Sequence, residues 1–288
     1  MTDDVCGSPW RGTVSSRKQY LQLNLTPFVS HISEPPETEV LVEGYCVVCG
    51  GARIFRIGPE LWSPLKAYSF RESQSCSGCS LNARTRAFIH FLEDHGFNTE
   101  NKRVYITEKL TPLFRYLQTR YEHLEGSEFF SDVVTGSKYL GTRVEDIMNL
   151  TYADSSFDSV FSLDVMEHVP DYRKAFREVF RVLRPGGDFI ATFPFDLDLE
   201  KTFSRATIGR AGEVIHVMEP EFHGNPVGEP SLCFTEFGWD ILNVLRTVGF
   251  QQASVTLYSN SAFGYLGREQ PIFRMRRPPS IHRDAIRS

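Results

Sequence analysis

No stretch of this chain approaches the roughly 20 consecutive apolar residues that a membrane-crossing helix needs, so no membrane partner is expected. The segment from Met1 to Lys18 has acids at Asp3 and Asp4 and no apolar core. It does not read as a secretory leader, and a cytoplasmic location is expected. Positive charge is in deficit: 31 Lys and Arg stand against 36 Asp and Glu, for a net charge of -5. That balance argues against a general nucleic-acid coat, which would be basic. Cysteine is sparse as well, with six in 288 residues, so a small disulfide-stapled scaffold is excluded. Finally, no G-x-G-x-x-G follows the first candidate strand, which removes the main sign of a dehydrogenase.

What is present begins with the cysteines. Cys46-Val47-Val48-Cys49 and Cys76-Ser77-Gly78-Cys79 are two C-x-x-C turns, each able to aim two thiolates at one point. Gly50, Gly51 and Gly78 supply the backbone freedom such knuckles need. Two knuckles make a tetrahedral four-sulfur site, which suits Zn2+. A closed four-thiolate site leaves no position for substrate, so the ion's role is structural. The spacer carries Ile54, Phe55, Ile57, Leu61, Trp62, Tyr68 and Phe70, enough for a small hairpin with an apolar face. Arg53, Arg56, Lys66 and Arg71 lie among them, a mixture that some zinc modules use to grip RNA. Cys6 and Cys233 fall outside this scheme and read as ordinary cysteines.

Beyond Cys79 the pattern alternates. A helix is expected over Arg86–His95, a strand over Arg103–Glu108, and a helix opened by Thr111-Pro112. Further strands are expected near Leu124–Phe130, Arg143–Ile147, Phe157–Leu163 and Phe189–Phe193. An amphipathic helix fills Asp171–Leu183, with Tyr172, Phe176, Val179, Phe180 and Leu183 on one stripe. Strands alternating with helices predict an α/β fold, a doubly wound parallel sheet that binds ligands beyond the carboxyl ends of its strands. Glu108, Glu128, Asp146 and Asp164 all fall near such predicted ends.

The run Glu145-Asp146-Ile147, Asp154-Ser155-Ser156-Phe157-Asp158, Leu163-Asp164-Val165-Met166-Glu167-His168-Val169-Pro170 and Leu183-Arg184-Pro185-Gly186-Gly187 resembles class I S-adenosylmethionine (SAM)-dependent methyltransferases. More narrowly it is similar to the type 11 methyltransferase domain. The resemblance spans about Val104–Phe193 and implies a Rossmann-like, seven-stranded sheet with SAM as cofactor. It implies that Glu128 binds the ribose hydroxyls, Asp146 the adenine amino group, and Ile147 lies beside the adenine ring. Glu108 matches the acid of the family's first motif, and Asp164 lies near the methionine end of the cofactor or the acceptor. The chain departs from the family in one respect: Glu108-Lys109-Leu110-Thr111-Pro112 has no glycine where the family has Gly-x-Gly. As a whole the chain is similar to a group of bacterial methyltransferase-like proteins with an N-terminal double C-x-x-C.

The expected organisation is a polar tail over 1–40, a zinc-ribbon-like module over 41–82 and a methyltransferase domain over 83–268. A last strand and basic tail over 269–288 complete it. Within the domain, residues 194–234 read as an insert over the acceptor site. Its His223, with Asp164 and His168, supplies the candidate catalytic groups. The expected function is methyl transfer to an oxygen, nitrogen or carbon of a small molecule or sugar. Two alternatives are an RNA methyltransferase that uses the zinc module as its grip, and a non-catalytic binding protein with a degenerate SAM site.

Overall fold

The computed structural model describes residues 10–23, 38–58, 70–97, 101–225 and 228–280. Cys6, the spacer residues Leu61, Trp62, Lys66 and Tyr68, and the tail beyond residue 280 lie outside the described residues. In chain order, strand β1 (Trp10–Val14) and helix α1 (Arg17–Gln22) precede β2 (Val40–Cys46), β3 (Gly51–Ile57), α2 (Phe70–Ser73), β4 (Gln74–Cys76) and α3 (Ala83–Asp94). Then come β5 (Arg103–Ile106), α4 (Pro112–Gln118), β6 (His123–Glu128), β7 (Lys138–Tyr139), β8 (Thr142–Val144), β9 (Phe157–Leu163), α5 (Tyr172–Val182) and β10 (Leu183–Thr192). Short strands follow: β11 (Phe203–Ser204), β12 (Ala206–Ile208), β13 (Val214–His216), β14 (Phe222–His223), β15 (Ser231–Leu232) and β16 (Thr235–Glu236). Helix α6 (Ile241–Val248), β17 (Gln251–Asn260) and β18 (Tyr265–Arg276) complete the described chain. Among the described residues no helix is long and apolar enough to cross a membrane.

These elements form two compact units. The larger holds the described residues within Ser15–Arg17, Thr99–Ser254 and Phe273–Ser288. Its sheet runs in the order β18, β10, β9, β5, β6, β8, β7. The five strands from β10 to β8 are mutually parallel. An antiparallel strand flanks them on each side, β18 against β10 and β7 against β8. Strand β9 is buried at every position but Asp158, as a central parallel strand covered on both faces must be. The chain steps from β5 outward through β6 to β8, then returns to the other side of β5 with β9 and β10. The topological switch therefore lies between β5 and β9, where sheets of this kind open a crevice at their carboxyl edge.

Local chemistry sets the helices of this unit. The Asp171 carboxylate accepts the Lys174 amide at 2.9 Å and starts α5. Tyr172, Ala175, Phe176, Val179 and Val182 are buried at helical spacing along it. Thr111 caps α4 by accepting from the Phe114 amide, and Pro112 occupies its first turn. Gly249, at φ +119, ends α6 in a conformation that side chains resist. The expected insert over 194–234 is built of short antiparallel pairs, β12 with β13 and β14 with β15, while β11 pairs with β16 just beyond its end. The Arg205 guanidinium binds Glu236, lies 3.4 Å from Glu221 and donates to the Glu219 carbonyl, so one cation gathers three strands' worth of loop.

The smaller unit holds the described residues within Met1–Val14, Lys18–Asn98 and Val255–Ile272. The antiparallel sheet β2-β3-β4 carries the cysteine knuckles. Strands β1 and β17 pair antiparallel, with β18 beside β17. Two sequence expectations shift here. The segment 1–40 is not all polar tail: β1 lies in register with β17, and Val14 is buried. The expected boundary at residue 83 falls inside this unit, because α3 packs with the cysteine sheet through α2 and β4. The physical cause is Arg86 on α3. Fully buried, it donates to the carbonyls of Phe263 (2.9 Å) and Gly264 (2.8 Å) and lies 4.2 Å over the Phe55 ring.

Candidate functional site

The parallel strands of the larger unit deliver acids to one edge. Glu108 lies two residues past β5, Glu128 ends β6, Asp146 lies two residues past β8 and Asp164 follows β9. All four predicted positions are therefore at the carboxyl edge that borders the switch point. Their surroundings differ. Asp146 accepts the Met148 amide at 2.8 Å in a tight turn, which fixes its carboxylate next to the buried Ile147. The neighbouring Glu145 is spent on structure: it accepts from Arg143, from the Thr151 amide and from the Thr151 hydroxyl.

Asp164 takes φ +51, a left-handed conformation that Asp tolerates better than most residues. Two bonds to β10 hold it there. Its amide donates to the Thr192 carbonyl, and the Thr192 hydroxyl donates to Oδ1, both at 2.9 Å. A strained backbone held at a strand end next to the switch point is the kind of feature functional sites retain.

Glu128 behaves in a way the sequence did not signal. It is 7% exposed, and its Oε1 accepts the amides of both Lys109 (2.7 Å) and Leu110 (2.8 Å). Those amides belong to the glycine-free turn after β5. The acid thus anchors the turn, while Oε2 makes no hydrogen bond among the described residues. Room for the bulky turn comes from the neighbouring strand. A Cβ at Gly126 would stand 2.4 Å from the Phe114 ring and 2.7 Å from the Glu108 carbonyl oxygen. The glycine absent from the loop has its steric counterpart on β6.

His168 and His223, far apart in sequence, come together with a residue that sequence reasoning passed over. The rings lie 5.1 Å apart, edge to face. The Cys233 thiol lies 3.2 Å from His223 Nε2 and 3.4 Å from its Nδ1. Glu167, fully buried, places Oε1 3.6 Å from His168 Nε2 and 3.7 Å from His223 Nδ1. Contact with Cys233 and Glu167 pushes His223 up to about 10. Burial works against a charge on His168, yet Cys233 and Glu167 raise it on balance. Burial likewise opposes the Cys233 thiolate, and the two histidines overcome it to lower the thiol. One signal is present in the sequence: Cys233 sits ten residues past His223, in the same insert.

In the smaller unit the four predicted thiols converge. Cys46 and Cys79 sulfurs are 3.9 Å apart, Cys49 and Cys76 sulfurs 3.8 Å, and all four lie within 4.8 Å of one another as free thiols. Four sulfurs at about 2.3 Å from a tetrahedral zinc stand about 3.8 Å apart, so the donor set fits that ion. Backbone amides aim at the sulfurs, Gly78 at Cys76, Cys49 at Cys46 and Leu81 at Cys79. Gly50 turns the first knuckle at φ +65.

Residues 109–191 match the sequence model of a family described as a methyltransferase domain. The chain is 29% identical over 112 residues to sterol 24-C-methyltransferase erg6 of Aspergillus fumigatus, across 39% of this chain and 25% of that protein. It is 52% identical over 42 residues to methyltransferase GfsG of Streptomyces halstedii, across 15% of each. The chain thus spans a quarter or less of the length of these curated relatives. A solved S-adenosylmethionine dependent methyltransferase from Mesorhizobium loti aligns at 15% identity over 69% of this chain and 100% of that chain, with a TM-score of 0.43.

Proposed function

We propose that the methyltransferase domain over residues 109–191 is catalytically working, and that the chain transfers a methyl group from SAM to a small-molecule or sugar acceptor. The observation that carries this reading is the set of acids at the carboxyl edge of β5, β6, β8 and β9. Three of them, Glu128, Asp146 and Asp164, lie within the matched domain. SAM, when bound, supplies a methyl on a sulfonium that a nucleophile can displace. The chain's part is to bind and orient. Glu128 would accept ribose hydroxyl hydrogens at the open Oε2, Asp146 would accept from the adenine amino group, and Ile147 would flank the ring. Glu108 and Asp164, on the strands either side of the switch point, would face the methionine end and the acceptor. Four thiolates in the smaller unit would hold a structural zinc, whose negative cage the buried Arg86 guanidinium offsets.

One observation favours a competing reading, a binding protein that keeps the fold without SAM. The Lys109 and Leu110 amides, which a glycine-rich turn would offer to the cofactor, are spent on Glu128. Calorimetric titration of the zinc-loaded chain with SAM and with S-adenosylhomocysteine separates the two. A micromolar dissociation constant, about -8 kcal/mol, is expected. Asp146→Ala should weaken it at least tenfold with the fold intact. Heat signals absent at millimolar ligand for both nucleosides would leave the binding-protein reading standing.

A further inference from the structure

His168, His223, Cys233 and Glu167 come from two stretches of the larger unit, the turn after β9 and the insert around β14 and β15. The donor atoms of three of them gather at one place. The ligand atoms of His168, His223 and Cys233 all lie within 4.8 Å of one another. His223 Nδ1 lies 3.4 Å from Cys233 Sγ, and Glu167 Oε1 lies 3.6 Å from His168 Nε2 and 3.7 Å from His223 Nδ1. Bond lengths of about 2.0–2.3 Å place the donors of a tetrahedral zinc about 3.3–3.8 Å apart, so the cluster has the size of a metal's first coordination sphere.

Three further observations point to a ligand. Glu167 is wholly buried, and neither of its carboxylate oxygens accepts a hydrogen bond among the described residues. Its Oε1 lies 3.6 Å from His168 Nε2 and 3.7 Å from His223 Nδ1, distances too long for hydrogen bonds. A carboxylate in that position is costly without a cation beside it. Second, each histidine is oriented from behind. The His168 Nδ1 lies 2.9 Å from the Leu232 carbonyl oxygen, which can only accept, so Nδ1 carries the proton and Nε2 turns a lone pair toward Glu167. The His223 Nε2 lies 3.2 Å from both the Glu221 carboxylate and the Cys233 thiol, with Nδ1 toward Glu167. Metal-bound histidines are held in this way. Third, a thiolate and a carboxylate balance a divalent charge, and the sulfur and imidazole donors select a borderline-soft ion over magnesium or calcium.

We propose that His168 Nε2, His223 Nδ1 and Cys233 Sγ form a second metal site beside the Glu167 carboxylate, taking zinc or a similar divalent transition ion. Three protein donors would hold the ion, and the Glu167 carboxylate would offset its charge. The site's work is to clamp the insert, through β14 and β15, onto the turn that follows β9. The inference stands whether or not the chain transfers methyl groups. It is separate from the four-cysteine cluster, which shares no ligand with it.

The test is metal content of the full chain, purified with zinc and dialysed free of excess ion. Two zinc ions per chain are expected for the wild type, and one for His223→Gln and for Cys233→Ser. Cobalt exchange gives an independent readout on the wild type alone. The spectrum should hold the bands of a four-sulfur site plus a weaker thiolate-to-cobalt band that His223→Gln removes. His223 is partly exposed, so its Gln variant tests the site even should Cys233→Ser fail to fold. A wild type with one ion, lost in His223→Gln, supports the proposal and overturns zinc at the four cysteines instead. A wild type whose metal content and cobalt spectrum are unchanged by both substitutions overturns it, and leaves the cluster held by protons on the two histidines.

Discussion

Glu128 binds two backbone amides with one oxygen, and under the proposed function its other oxygen would take the ribose hydroxyls, so a single residue would couple the shape of the turn after β5 to what the edge binds. Glu128→Ala would strand the Lys109 and Leu110 amides and cost about 1–3 kcal/mol in urea unfolding. It should also loosen SAM binding, since the turn would no longer be held. The family resemblance named Glu128 for ribose binding, and nothing in the local sequence told of the second task. That needed the register of β5 against β6. Asp94 is a second residue whose setting decides its behaviour. Burial opposes its charge, but bonds from Arg11 and from the Tyr258 hydroxyl (2.9 Å) outweigh that and hold its carboxyl below the ordinary range. His90, 3.6 Å away, is kept from charging mainly by burial. A lowered folded pKa stabilises above the ordinary carboxylate range and is lost as pH falls through it. Asp94→Asn should therefore narrow the gap in melting temperature between about pH 7 and about pH 3. An unchanged gap would mean that the pair is screened by solvent.

Among the elements, the glycine-free turn with α4 and β6 forms one packing unit. Thr111 and Pro112 announced the start of α4 in the sequence, since cap and proline are local signals. Gly126 did not announce itself, because its need arises from Phe114 and the Glu108 carbonyl across the sheet. Gly126→Ala should destabilise the fold by about 1–3 kcal/mol, the usual range for overpacking. Phe114→Leu in that background should recover part of the loss, and only part, because the Glu108 backbone cannot retreat as a side chain can. Equal stability of the Gly126→Ala variant and the wild type would show that the turn is not packed against β6 as described. Two periodic elements were legible almost to the residue, whereas β10 begins at Leu183, six residues before the strand expected at Phe189. Phe157–Leu163 is β9 and the stripe from Tyr172 places α5, because burial on both faces or on one stripe leaves a repeating pattern.

The molecule as a whole divides differently from the order of its motifs. Helix α3 was expected to open the large domain, yet it packs with the cysteine sheet. Its Arg86 bonds to carbonyls 177 and 178 residues away. Chelation of zinc should lower the melting temperature of the smaller unit, read by tryptophan-free probes such as amide exchange of β2 and β3. Arg86→Met would leave the Phe263 and Gly264 carbonyls without a donor and cost about 2–5 kcal/mol. A chelator that leaves exchange unchanged would remove the structural role of the four-cysteine site.

The sequence alone determined the alternation of strand and helix, the double C-x-x-C, and the acids at the strand ends. Each of these is a short-range pattern imposed by backbone periodicity or by ligand spacing. Tertiary structure alone decided that Glu128 would anchor a turn, that Gly126 would make room for it, and that Arg86 would tie α3 to the cysteine sheet. It alone brought Cys233 and Glu167 to two histidines 55 residues apart. No spacing rule reaches across such an interval, because the distance between those side chains is set by how the insert folds back onto the end of β9, not by the residues that lie between them.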